Sequence, residues 1–576
     1  MVLTLYKLDA SPPVRSVYMV IEALKIRDVE YVDVNLLEGS HLKEEFLKMN
    51  PQHTIPLLKD DDFLIWDSHA ISSYLISVYG ADDSLYPNEP KKRALIDQRL
   101  HFDSGILFPA LRGVAELIIF RGEKEIRPEN LAKIKSAYDF TEKILSSDWI
   151  AGDEFSLADI CCVTSISTLN EMVPIDGSLY PKLASWLDRS AQLPIYKKAN
   201  EPGLLQFREI FKNKTTPASR QSAMQISVFY LTPGHQAKWP LAVLCCTVSV
   251  CPQCVCFHLA VLLRVGDIPN SVTQDPGTER RLCIVRIRFM ISTPASRQSA
   301  MQISVFYRQN VQTKSNARRL CNTPYRLRPL YADISIRNQF AFILNSQTVT
   351  KEDNSLVPTM VFILYKKDTS PPCRSVQMVL HELGIYDVEL IEVNLPERDH
   401  LKEEFLRMNP QHTVPTLIDG DFIIWDSHAI VTYLVNRYAK NDTLYPKEPK
   451  QRAIVDQRLH FDTGVLFAIL RATAEPVLYN NEKSFKQENL EKMEAAYEFV
   501  EKFLTSDWLA GDQVTLADIC CVSTISSMNV IVPIDKKKYP KIISWLQRCS
   551  EQEFYKKANE PGLKKFIEMF KNKMGN

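Results

Sequence analysis

Two serines stand where the chain is expected to pass into a helix, a position at which a hydroxyl can act on a bound anion. Ser11 precedes Pro12 and Pro13, and a proline just inside a helix start is tolerated because its missing N–H would be unpaired there. Ser68 follows Asp67 at the start of another expected helix. Backbone N–H groups and the helix dipole favour negative charge at such ends. Ser68 is therefore expected either to cap its helix or to offer its hydroxyl and amide to a carboxylate.

The step from Ile55 to Pro56 is a third feature suited to binding. An X–Pro bond can be cis, and a cis bond here would leave the backbone of Ile55 able to pair with an extended peptide as an added strand. A hydroxyl near a helix start, a strand edge and a carboxylate pocket together suit a small anionic peptide that carries a thiol.

Each of these residues also has a purely structural interpretation. Ser11 taken alone is more often a helix cap than a catalyst, His53 can be a polar group beside a turn, and His41 can simply begin a helix. The run Asp67-Ser68-His69 contains the residue types of a hydrolytic triad. Adjacent residues cannot converge as a triad, however, and the sequence has no GxSxG elbow.

The same features occur twice in the 576 residues. Residues 3–214 align with 362–573 at a constant offset and without a gap, as in HLKEEFLKMNPQHTIP and HLKEEFLRMNPQHTVP. A repeat of this length is too long for a solenoid. The chain therefore contains a duplicated globular unit.

Within one unit the pattern changes from mixed α/β to helical. A first lobe is expected from strands at 2–8 and 29–35, two strands within 55–66, and helices at 12–24, 41–49 and 68–78. A second lobe is expected from helices at 91–119, 128–146, 157–170, 181–192 and about 204–214. The runs SLAD at Ser156 and TLAD at Thr515 have the form of capping boxes. The fold class is therefore α/β plus all-α, duplicated.

The segment between the copies differs in composition. Residues 215–360 carry sixteen Lys and Arg against six Asp and Glu, and seven of the thirteen cysteines, although the whole chain has a formal charge of zero. The run TPASRQSAMQISVFY occurs there twice, at 216–230 and 293–307, letter for letter. We interpret 215–360 as an irregular basic linker or as read-through between two tandem genes. The balanced total charge gives no indication of a nucleic-acid partner.

Two other interpretations of this segment are weaker. The apolar stretch 239–265 could suggest a membrane span, but Pro252, Gln253 and His258 interrupt it. Cys251, Cys254, Cys256 and His258 could bind zinc, but no second pair lies at zinc-site spacing. Neither a membrane association nor a metal is therefore expected. Cys161-Cys162 and Cys520-Cys521 lie in apolar stretches and are expected to be core residues.

Each unit resembles a cytosolic glutathione transferase of the insect epsilon and delta classes. The resemblance rests on SPPVRS, NPQHTIP, WDSHAI, DQRLHFD and SLADI in the first copy and their counterparts in the second. It implies a thioredoxin-like N-terminal lobe followed by an all-helical lobe. The implied domains are 1–82 and 88–214 in the first copy, and 361–441 and 447–576 in the second.

The resemblance also implies the roles of individual residues. Ser11 and Ser370 fall on the catalytic serine, whose hydroxyl donates to the glutathione sulfur. The implied glutathione-binding residues are His41, Gln52, His53, Ile55, Pro56, Asp67, Ser68 and His69, with His400, Gln411, His412, Val414, Pro415, Asp426, Ser427 and His428 in the second copy. The implied wall for hydrophobic substrates is Phe108, Leu111, Arg112, Ala115, Glu116 and Phe120 in copy 1. The equivalent residues of copy 2 are Phe467, Leu470, Arg471, Ala474, Glu475 and Tyr479. Because Phe120 and Tyr479 differ, substrate preference is expected to differ between the copies.

The expected reaction is attack of the glutathione thiolate on hydrophobic electrophiles at two sites per chain. Family members act as dimers, so we expect a homodimer or an internal pair of the two copies. The start at Met1 shows no signal pattern, which favours the cytoplasm. One alternative is a non-catalytic protein that keeps the fold and binds hydrophobic ligands. A thiol reductase is less favoured, since Ser370 and Ser11 stand where such an enzyme carries cysteine.

Overall fold

The computed structural model describes residues 3–215 and 362–575, together with the backbone of five strand segments between them. The chain divides into two compact units. One unit contains both copies of the repeat, and the other is formed by residues 220–356. The zinc and membrane-span interpretations above rest mainly on residues that lie outside the described ones.

The first lobe of copy 1 is a four-stranded sheet with helices packed against it. Strand order is β2-β1-β3-β4, in which β1 and β2 are parallel and the other pairs are antiparallel. Its elements are β1 (Leu3–Lys7), α1 (Pro12–Ala23), β2 (Val29–Asp33), α2 (Glu44–Met49), β3 (Leu57–Asp60), β4 (Phe63–Trp66) and α3 (Ser68–Tyr79). These bounds agree with the expected order of elements, and a short 3₁₀ turn at Ser40–Leu42 stands where the helix at 41–49 was expected to begin.

The second lobe of copy 1 is helical, as expected. Its elements are α4 (Pro90–Phe102), α5 (Phe108–Ala115), α6 (Pro128–Ile144), α7 (Leu157–Met172), α8 (Pro181–Gln192) and α9 (Glu201–Lys214). The capping box forms, since Asp159 accepts from the backbone N–H and the hydroxyl of Ser156. Cys161 and Cys162 are buried in the core of α7.

The expectation of one regular helix over 91–119 is wrong in detail. Two π-helical turns, Asp103–Leu107 and Glu116–Phe120, interrupt the α-helical geometry. A π turn adds one residue to a helical turn and is frequent at functional sites. Hydrophobic spacing alone does not reveal such a turn, because five residues are too few to define a period.

Copy 2 repeats this architecture with β10 (Phe362–Lys366) to β13 (Phe422–Trp425) in the equivalent strand order. Its elements are β10, α10 (Pro371–Glu382), β11 (Val388–Glu392), α11 (Glu403–Met408), β12 (Thr416–Asp419), β13, α12 (Ser427–Tyr438), α13 (Pro449–Phe461), α14 (Ala468–Tyr479), α15 (Gln487–Phe503), α16 (Leu516–Ile531), α17 (Pro540–Glu551) and α18 (Glu560–Met574). One difference concerns α14, which is α-helical to its end and contains Pro476, whereas α5 is followed by the second π turn.

The segment between the copies was expected to be irregular, but it contains strands among its described residues. These are β5 (Ser227–Val228), β6 (Val243–Thr247), β7 (His258–Leu262), β8 (Leu282–Met290) and β9 (Ala300–Arg308). The first three pair in the order β5-β6-β7, and β8 pairs with β9. Across all the residues that the structure describes, no helix is both long and apolar enough to cross a membrane.

The two copies pack against each other through reciprocal contacts. The Gln98 amide donates to the Trp425 carbonyl at 2.8 Å, and the Gln457 amide donates to the Trp66 carbonyl at the same distance. Equivalent residues exchange equivalent bonds, which is the property of a two-fold interface. The contact between the two copies therefore has a two-fold pattern.

Two buried carboxylates lie in this interface. The Thr432 hydroxyl donates to Asp97 at 3.1 Å, and the Ser73 hydroxyl donates to Asp456 at 3.2 Å. Burial raises the pKa of Asp97, and it raises the pKa of Asp456 to about 6.

A row of four histidines crosses the centre of the interface. The rings stack in the order His69, His460, His101, His428, so that the two rings of every neighbouring pair come from opposite copies. Ring centroids are 4.4 Å apart in the first pair, 4.3 Å in the second and 4.7 Å in the third, with interplanar angles of 22° to 25°. All four side chains are buried.

Carboxylates hold the two outer rings. His69 lies 3.3 Å from Asp67 and 2.9 Å from Asp103 through its two nitrogens. Burial alone would lower the pKa of His69, but these carboxylates raise it to about 10. His428 has the equivalent neighbours, and its pKa is raised to about 9. Both outer rings are therefore imidazolium ions at neutral pH.

The two central rings are neutral. Burial and the neighbouring histidines hold the pKa of His101 and of His460 well below its usual value. Hydroxyls bind their Nδ1 atoms across the interface, Thr463 to His101 at 2.9 Å and Ser104 to His460 at 3.1 Å. Neutral rings between the two imidazolium ions keep the like charges apart.

Because the two central rings are neutral, we expect acid to lower their contribution to the stability of the fold. The unfolded chain protonates His101 and His460 near pH 6.5 and the folded chain does not, so stability falls as pH drops below 6.5. Between pH 7.5 and 5.5 the parent should lose roughly 3 kcal/mol relative to the double variant His101→Phe, His460→Phe, measured by urea unfolding. The interface carboxylates and the outer histidines have raised pKa values, so they stabilise the fold as pH falls. They are present in both proteins, and their contribution cancels in the comparison. If the free energy of unfolding falls equally with pH in the parent and the variant, the prediction is contradicted.

Candidate active site

Three segments meet at one end of the sheet because of the strand register. In the β1–β3 pair Tyr6 lies opposite Leu57, so the beginning of β3 lies beside the end of β1. In the β3–β4 pair Leu57 lies opposite Trp66, so the end of β4 lies there too. The turn to Ser11, the Ile55-Pro56 step and the Asp67-Ser68 pair consequently share this end of the sheet. Copy 2 has the same register, with Thr416 opposite Tyr365 and Trp425.

The Ser11 hydroxyl is available to a ligand. Its backbone N–H donates to Leu8 at 2.9 Å and its carbonyl accepts from Arg15 at 3.0 Å, which fixes the turn into α1. Its side chain makes no capping hydrogen bond with the described part of the chain. Ser370 likewise makes no capping bond, although its side chain hydrogen-bonds the Cys373 thiol. Both serines are partly exposed. The helix-cap interpretation of Ser11 is therefore wrong for its hydroxyl.

Arg15 holds the start of α1 against the helical lobe. Its buried guanidinium donates to Asn200 at 2.5 Å and to the Thr168 hydroxyl. Arg374 makes the equivalent bonds in copy 2, to Asn559 at 2.6 Å and to the Ser527 hydroxyl. The position of each serine is thereby fixed relative to the second lobe.

The loop before β3 has a defined and unusual backbone. Ile55-Pro56 and Val414-Pro415 are cis, as the sequence suggested. Asn50 bonds the carbonyl of Thr54 at 2.9 Å, and the Gln52 side-chain oxygen accepts from the Trp66 indole at 2.6 Å.

Gln411 accepts from Trp425 in the same way at 2.6 Å. His53 and His412 have positive φ of 47° and 49°. Such backbone costs about 1–3 kcal/mol at a non-glycine residue and is concentrated at functional sites.

Asp67, rather than Ser68, caps α3. Its Oδ1 accepts from the backbone N–H groups of His69 at 2.9 Å and Ala70 at 3.2 Å. Burial opposes its ionisation, but the imidazolium of His69 and the backbone N–H of Ala70 hold its pKa at about 2. Ser68 is the first helical residue and is 5% exposed. Asp426 caps α12 in the same manner, with Ser427 following.

The imidazole rings of His41 and His53 lie beside the loop that precedes β3. Their ring centroids are 6.0 Å apart, and burial lowers the pKa of both. His53 also contacts Phe499 of copy 2, at 5.7 Å between centroids.

Copy 2 has the equivalent pair of imidazole rings. His400 and His412 are 5.9 Å apart, and His412 contacts Phe140 of copy 1 at 5.6 Å. Each site is thus bordered by the other copy.

His69 occupies a different place from the other implied glutathione residues. It is 5% exposed, and both of its nitrogens are engaged by carboxylates. His428 is 3% exposed, and its Nε2 contacts Asp462 at 2.9 Å, but its Nδ1 lies 3.1 Å from the Thr463 hydroxyl and 3.5 Å from Asp426. The structure thus places both histidines behind the Asp-Ser pair. Their partners Asp103 and Asp462 were not predicted as site residues, although the DQRLHFD motif of each copy ends in one of them.

The implied substrate wall is partly buried. Leu111, Leu470 and Ala474 are 3%, 2% and 5% exposed, whereas Phe120 and Tyr479 are 51% and 40% exposed. The remaining members are Phe108, Arg112, Ala115 and Glu116 in copy 1 and Phe467, Arg471 and Glu475 in copy 2, all partly or fully exposed.

The charged pair on this wall differs between the copies. Glu116 is shared between Arg112, at 3.8 Å, and Arg121, at 2.7 Å. Among the described residues, Glu475 forms an ion pair only with Arg471, at 2.6 Å. The two walls therefore differ in charge pairing as well as in the ring of residue 120 or 479.

Two groups of side chains have ligand atoms within 4.8 Å of one another, as a metal site would require. They are Asp67, His69 and His460, and the equivalent His101, Asp426 and His428. Stacked imidazoles present their in-plane lone pairs side by side rather than toward a common point. His69 also uses both nitrogens on carboxylates. These groups fit a hydrogen-bonded stack better than a tetrahedral metal centre.

Comparison with known proteins supplies the family. The glutathione S-transferase N-terminal domain matches residues 5–83 and 364–442, and the C-terminal domain matches 95–194 and 455–553. Glutathione S-transferase 1 of Manduca sexta is 72% identical over 204 residues, which are 35% of this chain and 94% of that protein. Glutathione S-transferase D6 of Drosophila melanogaster is 40% identical over 189 residues, 33% of this chain and 86% of that protein.

Solved structures are similar to single copies. Glutathione Transferase E6 from Drosophila melanogaster is 43% identical, covers 37% of this chain and 97% of its own, and has a TM-score of 0.36. A glutathione transferase homologue from Drosophila mojavensis, solved with bound glutathione, is 42% identical, with 37% and 98% coverage and a TM-score of 0.36. The two family domains together match more than half of the chain, and each occurs twice. The chain therefore belongs to the glutathione S-transferase family, as a tandem protein with the insect delta and epsilon enzymes among its relatives.

Proposed function

We propose that this protein conjugates the glutathione thiolate to hydrophobic electrophiles at two active sites, one in each copy, as a cytoplasmic detoxification enzyme. The lobes 1–82 and 88–214 form one site, and the lobes 361–441 and 447–576 form the other. The observation that carries the proposal is the uncapped hydroxyl of Ser11 and of Ser370 at a helix N-terminus, beside the cis-proline loop and the Asp-Ser pair.

The chemistry follows from these positions. A free thiol has a pKa near 8.5, and a helix N-terminus with a hydroxyl donor favours the thiolate. The backbone of Ile55 or Val414 would pair with the cysteinyl part of glutathione. Asp67 and Ser68, or Asp426 and Ser427, would hold its γ-glutamyl end. Gln52, Gln411 and the histidines at 41, 53, 400 and 412 would line the remainder.

A second candidate is a non-catalytic ligand-binding protein with the same fold. The partly exposed rings of Phe120 and Tyr479 would suit hydrophobic ligands. A pure binder has no need of a thiolate activator, however, and both copies keep the serine. Glutathione affinity measured by calorimetry separates the candidates, because the binder would take hydrophobic ligands without glutathione.

Removing the two serine hydroxyls tests thiolate activation. We expect Ser11→Ala with Ser370→Ala to lower kcat/KM for a chlorinated aromatic by more than about tenfold, because each site loses a donor to the sulfur anion. Each single variant should retain the activity of the other copy. Ser146→Ala, an exposed serine at the end of α6, is the matched control. A smaller loss in the double variant counts against serine activation.

Asp67→Asn tests the γ-glutamyl anchor. Asparagine caps a helix as well as aspartate does, so the variant removes a charge and keeps the cap. In the Ser370→Ala background, which silences copy 2, KM for glutathione should rise about tenfold or more with little change in kcat. A change in kcat without a change in KM would contradict an anchoring role.

Exchanging the rings at the two walls tests substrate preference. In the Ser370→Ala background, Phe120→Tyr should shift the preference between two electrophiles of different polarity by about threefold toward the more polar one. In the Ser11→Ala background, Tyr479→Phe should shift it the opposite way. Unchanged ratios in both backgrounds would place residues 120 and 479 outside the electrophile site.

A further inference from the structure

Each proposed γ-glutamyl anchor lies against a histidine from the opposite copy. The neutral ring of His460 stacks on His69 at 4.4 Å, and His69 follows Asp67 and Ser68 directly in the chain. The neutral ring of His101 stacks on His428 at 4.7 Å, behind Asp426 and Ser427.

The orientation of Asp67 depends on His69. Asp67 Oδ1 accepts from the backbone N–H of His69 at 2.9 Å and lies 3.3 Å from its ring. On the other side, the same ring contacts Asp103 at 2.9 Å, which joins the anchor to the helical lobe. These bonds lie in the plane of the ring, so they leave its face to be restrained by packing.

His460 supplies that packing. An imidazolium on the face of a neutral aromatic ring is attracted to it, and the attraction is greater where water is excluded. His69 is 5% exposed and His460 is 6% exposed. Ser104 of copy 1 bonds His460 Nδ1 at 3.1 Å and fixes the rotation of the stacking ring.

We propose that His460 and His101 are positioning residues, each of which orients the γ-glutamyl anchor of the opposite copy. His460 acts on Asp67 through His69, and His101 acts on Asp426 through His428. This inference rests on the proposed function, in which those aspartates hold glutathione.

The other end of each site supports this assignment. Phe499 of copy 2 contacts His53 at 5.7 Å, and Phe140 of copy 1 contacts His412 at 5.6 Å. The opposite copy therefore borders both the Asp-Ser pair and the loop before the cis-proline. Both contacts come from helices that carry none of the residues of the site they border.

The tandem chain allows a test that two identical subunits would not allow. In the Ser370→Ala background, turnover comes from copy 1. There, His460→Ala should raise KM for glutathione about fivefold with kcat little changed, because Asp67 loses its fixed orientation. His101→Ala is the matched control, since it removes the other central ring and should raise that KM by less than about twofold. In the Ser11→Ala background the two variants should exchange their effects.

Two further measurements separate positioning from loss of folding. Both alanine variants should lower the urea midpoint to a similar extent, because each removes one ring of the same row. His460→Phe keeps the stacking ring and should restore KM to within about twofold of the parent. Equal KM changes in the two alanine variants, or failure of phenylalanine to restore KM, would overturn the inference.

Asp67→Asn in the same background distinguishes the inference from the proposed function. If this variant raises KM for glutathione and His460→Ala does not, the anchor stands and the cross-copy role is wrong. If neither variant alters KM, and the double serine variant keeps its activity, the proposed function itself fails.

Discussion

A buried imidazolium held between two carboxylates connects the parts of each copy. His69 lies between Asp67, which caps α3 in the first lobe, and Asp103, which follows α4 in the second. Removing one partner of a buried ion pair typically costs about 3–5 kcal/mol, because a charge is left uncompensated. Because the same ring stacks on a residue of copy 2, this arrangement joins the first lobe, the second lobe and the opposite copy. The geometry of the Asp-Ser pair depends on it.

The neutrality of the central rings follows from the same arrangement. Four carboxylates hold two imidazolium ions at the ends of the row, and a third or fourth positive charge between them would be buried without a partner. Hydroxyls of Ser104 and Thr463 satisfy the central rings instead. A buried polar row of this kind is favourable where nearly every member is paired. Asp103 Oδ1 and Asp462 Oδ1 are exceptions, since neither has a partner among the described atoms.

Much of the fold could be predicted from local sequence. Prolines at helix starts, alternating strands and the two capping boxes each depend on neighbours within a few residues. The π turn at Asp103 was missed, because it depends on packing that spacing does not encode. The cap at Asp67 was assigned to the neighbouring Ser68, although Asp is an equally favoured N-cap residue. The histidine row could not have been predicted, because stacked rings belong to different copies. Equivalent positions of the two copies are separated by 359 residues in the sequence. No periodicity marks a contact between His69 and His460.

The reciprocal interface has a consequence for assembly. Both complementary faces are on one polypeptide, so each face can be satisfied within the molecule or by another molecule. Tethering raises the effective concentration of one face for the other, which favours closure within the chain. Exchange between chains uses the same bonds and would yield swapped dimers or longer head-to-tail strings. A higher protein concentration during folding would favour this exchange over closure within the chain.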